Sequence, residues 1–228
     1  MDKELSLDEI TNFREVSMGR IASGVLYRSS HPLNSGKLGA IIERKAKAAK
    51  IACVLNLGDN ENSAEILPMI ETRSWYRELY HSGNILLLDM DFNFAEDDCN
   101  RKLKKAVEFM LSHRGPYLIH CFAGLDRTGF LSAVLEALMG AALDEIYADY
   151  LSSCGKGFCS FFSYGYGDEN QLHIKDQLIK MNKEREITDD TIQAAAERYL
   201  LEDVGLPAES LAGLKKILGQ RHPRRKSP

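Results

Sequence analysis

The chain has 228 residues, 44% of them hydrophobic and 27% charged, which is the length of one domain and the composition of a folded protein, and excludes a fibrous repeat or a disordered chain. A formal net charge of −4 excludes a main role in neutralising nucleic-acid phosphate, so any anion site has to be local. The five cysteines, Cys53, Cys99, Cys121, Cys154 and Cys159, form an odd set without a CxxC pair, which argues for a reduced compartment over a disulfide framework and spells out no zinc site.

The acidic start, Met-Asp-Lys-Glu-Leu, lacks the cationic and apolar regions of a signal peptide, so a cytoplasmic location is expected. A helix is expected over about 38–50, followed by a short apolar run at 51–57 (Ile-Ala-Cys-Val-Leu-Asn-Leu). Similar runs stand at 84–88 and 117–120, each suited to a strand buried on both faces. Between them Leu103, Ala106, Val107, Met110 and Leu111 form one helical stripe, which Gly115 and Pro116 would close. The weakly polar stretch 128–143 holds Glu136 and is shorter than the roughly 20 apolar residues of a membrane span, so no integral membrane segment is expected.

From about residue 142 the pattern is helical, over 143–151, 172–181, 188–203 and 207–218, the last with Pro207 at its first position. Together these elements predict one α/β domain over residues 1–220, a central mostly parallel sheet flanked by helices, with a helical C-terminal part. Residues 152–168, rich in Gly, Ser, Phe and Tyr, read equally as a loop beside a site or a plain connection, and residues 221–228 as a basic, disordered tail.

The informative segment runs from His120 to Gly129, His-Cys-Phe-Ala-Gly-Leu-Asp-Arg-Thr-Gly. It joins a buried strand to an apolar helix expected from Thr128, so it lies at the carboxyl end of a strand, where open α/β sheets bind ligands. Loop N–H groups and a helix N-terminus there attract an anion before any side chain is counted. Such a place lowers the pKa of a thiol and so activates Cys121 as a nucleophile. Arg127 offers a planar fork to two phosphoryl oxygens, and the Thr128 hydroxyl can steady the sulfur. Gly124 lets the backbone turn without a Cβ intruding on the anion, and His120 orients the loop. Residues Phe122, Ala123, Gly124, Leu125, Asp126 and Arg127 would wrap the phosphate. A cysteine ending a buried strand is by default a core residue, the reading kept for Cys53; for Cys121 the joint pattern outweighs it.

This loop resembles that of the cysteine-dependent protein-tyrosine phosphatases, HCxxGxxR[ST], and within them the atypical bacterial tyrosine phosphatases with HCFAGKDRTGF. Asn12-Phe13-Arg14-Glu15, Gly24 to Ser30 with Tyr27-Arg28-Ser29-Ser30, Ala148-Asp149-Tyr150-Leu151, and Tyr199-Leu200 before Gly205-Leu206 resemble flanking segments of that family, in the same order. The resemblance implies a hydrolase of phosphomonoesters that needs no metal or cofactor and works through phosphocysteine. Phosphotyrosine on a protein or peptide is the first substrate it implies; dual-specificity or phosphoinositide and inositol phosphate hydrolysis is the alternative.

Two departures bear on substrate. Leu125 stands where the family often has Lys, which disfavours multiply phosphorylated headgroups, and Asn56-Leu57-Gly58-Asp59 stands where an Asp-Leu-Arg is usual. The leaving oxygen needs a general acid. Among Asp89, Asp91, Asp97, Asp98 and Asp126, the first choice is Asp91, just past the 84–88 run, with Asp126 nearly level. His31, His81, His113, His173 and His222 are scattered without an i, i+4 pair and read as surface or capping residues. Two other classes stay open: an inactive phosphate-binding module, if neither acid reaches the site, and a thiol-redox or sulfur-transfer protein, which the Cys-x5-Arg-Thr spacing disfavours. Pocket depth, hence substrate, would rest on Phe92, Phe94 and residues 152–168.

Overall fold

The structure is a computed structural model that describes residues 6–34, 36–60, 62, 65–153 and 169–220, the side chains of 169–172 excepted. Five strands, β1 (Arg14–Val16), β2 (Leu26–Ser29), β3 (Cys53–Asn56), β4 (Ile85–Leu87) and β5 (Tyr117–His120), form one sheet in the order β1-β2-β5-β3-β4. β1 runs antiparallel to β2, and every other pairing is parallel. Around the sheet lie α1 (Leu7–Ile10), α2 (Gly36–Ala48), α3 (Ile66–Glu71), α4 (Ser74–His81), α5 (Asp97–Ser112), α6 (Asp126–Leu138), α7 (Leu143–Ser152), α8 (Glu169–Met181), α9 (Ile192–Arg198), a π turn (Tyr199–Asp203) and α10 (Ala208–Leu218).

Alternation along the central strands divides the core in two. Cys53 and Leu55 of β3, with Tyr117 and Ile119 of β5, face the larger cluster with α5, α6 and the C-terminal helices. Val54 and Leu118 face the smaller cluster of Ala46, Ile66, Ile70, Trp75 and Tyr76. Ile174, Leu178, Tyr199, Leu214 and Leu218 join the same buried cluster as α5 and α6. Every residue of α6 from Thr128 to Leu138 is buried, so α6 has no solvent face and little amphipathic signal. Each large apolar side chain buried in this way, such as Phe130, Leu131, Val134, Leu135 and Leu138, contributes roughly 1.5–3 kcal/mol, and packing rather than helix propensity holds α6.

Several expectations need correction. β4 is half-buried, as an edge strand is, rather than covered on both faces. Strands β1 and β2 carry no apolar run and were not expected; Arg28 sits fully buried in β2. α6 begins at Asp126, two residues before Thr128, which brings Arg127 into its first turn. Pro207 is the N-cap of α10 at ψ 149°, outside the first helical position, and the helix expected over 188–203 is α9 followed by a π turn. Of the segment 152–168 only Ser152 and Ser153 are described; residues 154–168 and the tail 221–228 lie outside the described residues. No helix among the described residues is long and apolar enough to cross a membrane.

Candidate active site

The register aligns Ser29, His120 and Asn56 across the carboxyl ends of β2, β5 and β3. The loop after β5 therefore leaves a strand held on both sides, and Leu57 N donates to His120 O at 2.8 Å. Two loop carbonyls are then drawn outward. Phe122 O accepts from His31 N at 3.0 Å, and Gly124 O accepts from Arg28 Nη2 and Asn12 Nδ2, both at 2.8 Å. A trans peptide points its N–H opposite its C=O, so the Ala123 and Leu125 N–H groups face the other way, toward the loop interior. The first N–H groups of α6 add donors that no helical carbonyl can satisfy. This arrangement can hold a tetrahedral oxyanion.

Gly124 has φ +72°, and a Cβ there would be driven into the Ser29 carbonyl. The glycine is thus required by the close approach of β2 as well as by its backbone angle, not by clearance for the anion. Cys121 is 3% exposed at the loop's start. Arg127 Nη1 donates to Met90 O at 3.2 Å, and its guanidinium lies 4.6 Å from the Phe92 ring centroid, a cation–π contact. Buried Arg127 Nε and Thr128 Oγ1 have no partner among the described residues, so both have capacity to spare for a ligand or for the sulfur.

Leu125 is 1% exposed and packed in the core, so its side chain gives nothing to the pocket; only its N–H can. Phe122 and Phe92, about half exposed, stand at the surface around the loop, whereas Phe94 is buried and stacks on Phe130 at 4.8 Å. Of the two aromatic residues expected to set pocket depth, Phe94 therefore belongs to the core. At Gly58 a Cβ would sit 3.6 Å from Arg127 Nη1, so the residue at this position bears directly on the arginine.

One polar network lies beneath the β3 side. Tyr76 hydroxyl meets His120 Nε2 at 3.1 Å and accepts from Asn56 Nδ2 at 3.0 Å, so its own proton points to His120. Asn56 Nδ2 also donates to Asp59 Oδ2 at 2.7 Å, and His31 Nε2 meets the same oxygen at 2.5 Å. Leu33 N donates to His31 Nδ1 at 3.0 Å, which leaves the ring proton on Nε2, toward Asp59. His31 is buried and part of the loop's support, contrary to the surface role expected for it; its partner Asp59 lies too far along the chain to show in a local pattern. Burial raises Asp59, but the His31 and Asn56 bonds outweigh it and bring the carboxyl down to about 2. Burial, and then His31, push His120 well below the usual histidine range, so its imidazole is neutral.

A second network lies beneath the β2 side. Arg28 Nη1 bonds Asp149 Oδ2, Arg14 Nε bonds Asp149 Oδ1 at 2.9 Å, and Arg14 Nη2 reaches Asp149 O and Ser153 Oγ. Burial raises Asp149, but the two arginines more than offset this and hold it below the carboxylate range. Burial, and then Asp149, push the nearby Glu136 well above it.

The acid candidates separate. Asp91 is exposed, its Oδ1 accepts from its neighbour Phe92 N at 2.6 Å, and it lines a groove of about 480 Å³ with Asn93, Glu96, Asp97, Asp98 and Arg101. Its neighbours Met90 and Phe92 are the ones that touch Arg127. Asp126 opens α6; its Oδ1 accepts from Tyr150 hydroxyl at 3.3 Å and lies 3.9 Å from His173 Nε2. Asp89 accepts from Asn60, and Asp98 pairs with Arg101 and Lys102. Tyr150 also closes over Gly129, where a Cβ would collide with its ring. From sequence, Tyr150 stands out only within a flanking segment and His173 reads as a surface or capping residue, since their partner Asp126 lies on another helix.

The model of the tyrosine phosphatase family matches residues 5–219. The triple specificity protein phosphatase PtpB of Mycobacterium tuberculosis is 47% identical over 129 residues, 56% of this chain and 42% of its own length. A Cupriavidus necator protein whose name places it among the tyrosine-protein phosphatases is 28% identical over 173 residues, 66% of this chain and 63% of its own. The chain thus spans less than two thirds of the length of either curated relative. Among solved structures, the core catalytic domain of the PP-IP phosphatase SIW14 from S. cerevisiae, in complex with citrate, aligns at 22% identity and TM-score 0.43 over 78% of this chain and 95% of that one. With the family match running from residue 5 to residue 219, and the His-Cys-x-x-Gly-x-x-Arg-Thr loop at the carboxyl edge of a mostly parallel sheet, the chain belongs to the tyrosine phosphatase family.

Proposed function

We propose that the chain hydrolyses phosphomonoesters, phosphotyrosine on a protein or peptide first, through a phosphocysteine on Cys121. The observation that carries this reading is the loop itself: outward-tied carbonyls, inward N–H groups and an arginine with an unpaired buried Nε beside a single cysteine. The Cys121 thiolate attacks phosphorus, the bond to the leaving oxygen breaks, and a carboxylic acid delivers its proton to that oxygen. Water then attacks phosphorus, gives its proton to the same carboxylate, and the sulfur leaves as thiolate. Arg127 and the loop amides meet the charge on the equatorial oxygens in both steps, and Thr128 hydroxyl steadies the sulfur as it leaves.

For the acid, Tyr150 holds Asp126 beside the loop, while Asp91 is bonded to its own loop and lines a separate groove. This favours Asp126 over the first-ranked Asp91. Loss of the acid slows esters of poor leaving groups most, so Asp126→Asn should slow an alkyl phosphate far more than p-nitrophenyl phosphate. An equal effect on both would return the role to Asp91.

The exposed rings of Phe92 and Phe122 suit an aromatic leaving group. The name of the M. tuberculosis relative, a triple specificity phosphatase, supports a second reading in which phosphoserine, phosphothreonine or phosphoinositides are also cleaved. A panel of phosphopeptides and phosphoinositides, with and without chelator, separates the two. Cys121→Ser should abolish turnover of an aryl phosphate and keep binding of inorganic phosphate; full activity in that variant would sink the mechanism.

A further inference from the structure

Arg28 is fully buried in β2, where an arginine is unusual and a methionine of similar volume would pack without any desolvation cost. Its fork is divided between two tasks: Nη1 pairs with Asp149, and Nη2 donates to Gly124 O at 2.8 Å. That carbonyl belongs to the peptide whose N–H is that of Leu125, one of the two turned into the loop interior. Asn12 Nδ2 takes the oxygen's other lone pair at 2.8 Å. Asn12 is itself in left-handed backbone at φ 53° and is held there by Arg14 and Ser153 on its Oδ1.

We propose that Arg28 is a positioning residue for the phosphate loop: it fixes the 124–125 peptide so that the Leu125 N–H faces the anion, and by a charge-assisted bond to the carbonyl it strengthens that N–H as a donor. This rests on the reading of the Cys121 loop as a phosphate site. A hydrogen bond accepted at one end of a peptide polarises it and improves the donor at the other end, the more so in a buried setting and from a cation. The buried charges add to the effect. Arg14 and Arg28 face one ionised acid, Asp149, because Glu136 is held neutral, which leaves excess positive charge beneath the loop.

The test compares wild type with Arg28→Lys, Arg28→Met and the apolar pair Arg28→Met/Asp149→Leu, each checked for a cooperative thermal transition. Two quantities are read: the inhibition constant of inorganic phosphate against an aryl phosphate, and the ratio of Cys121 alkylation rates by iodoacetate and by neutral iodoacetamide. Arg28→Met should weaken phosphate inhibition by about tenfold and lower the alkylation ratio, with Arg28→Lys between it and wild type. If Arg28→Met does not fold, the apolar pair carries the same expectation: it removes both charges of the Arg28–Asp149 pair, while Arg14 loses one carboxylate bond and keeps those to the residue 149 main-chain oxygen and Ser153 Oγ. A folded variant lacking Arg28 with wild-type phosphate inhibition and alkylation ratio overturns the proposal. Failure of phosphate to protect wild-type Cys121 from alkylation would instead overturn the phosphate site on which it rests.

Discussion

Two polar networks support one loop from opposite sides of β5, and they are built differently. On the β2 side, two arginines grip Asp149, and one of them, Arg28, also holds the Gly124 carbonyl. On the β3 side, a chain of single hydrogen bonds runs from His31 through Asp59, Asn56 and Tyr76 to the His120 ring. Deleting one charge of the first leaves another buried and unpaired, whereas the second is a series of separate hydrogen bonds. The loop is thus tied through an arginine at its Gly124 carbonyl on one side and through the His120 ring, the end of a bonded chain, on the other.

The largest expected effect lies on the ionic side. Asp149→Ala leaves Arg28 buried without its counter-ion and should cost about 3–5 kcal/mol in urea unfolding. On the β3 side, Tyr76→Phe removes a hydroxyl that serves both Asn56 and His120 and should cost about 1–3 kcal/mol in the same measurement. Equal losses from the two variants would erase the contrast.

Acid and base act on the networks with opposite sign. His120 is held neutral in the folded chain, so its contribution is complete above its ordinary 6.5 and is lost as pH falls below that value. Glu136 keeps a proton in the folded chain that the unfolded chain releases, so its contribution is complete below 4.5 and declines as pH rises. Glu136→Gln should therefore gain in melting temperature over wild type as pH increases, and a pH-independent difference would show that Glu136 is ionised in place. The smallest effect belongs to Gly58→Ala: its Cβ meets Arg127 at an ordinary 3.6 Å, and turnover should stay within about twofold.

What could be read from the letters alone follows this division. β3, β5 and the stripe of α5 announce themselves because burial there is continuous or periodic, and the anion loop because its groups are adjacent in sequence. β1 and β2 stayed hidden because Arg14 and Arg28 make them look like surface, and the carboxylate that pairs with both stands in α7. His31 was misjudged for the same reason: a buried histidine is intelligible only once Asp59 is beside it. The choice of Asp91, with Asp126 nearly level, rests on sheet-edge position and on likeness to a segment of the resembled family, whereas the bonds to Phe92 N and to Tyr150 are local or tertiary geometry that spacing does not carry.

The central place of β5 has a kinetic consequence. The residue after it is Cys121, and β5 is laddered to β2 on one side and to β3 on the other, so releasing the cysteine's strand means breaking both ladders at once. Such an opening is global rather than a local fluctuation. The loop likewise cannot assemble from its own segment during folding, since it waits for strands drawn from distant parts of the chain. Heat inactivation of Cys121 chemistry and loss of the sheet should then share one rate, and amide protons of β5 should be among the last to exchange.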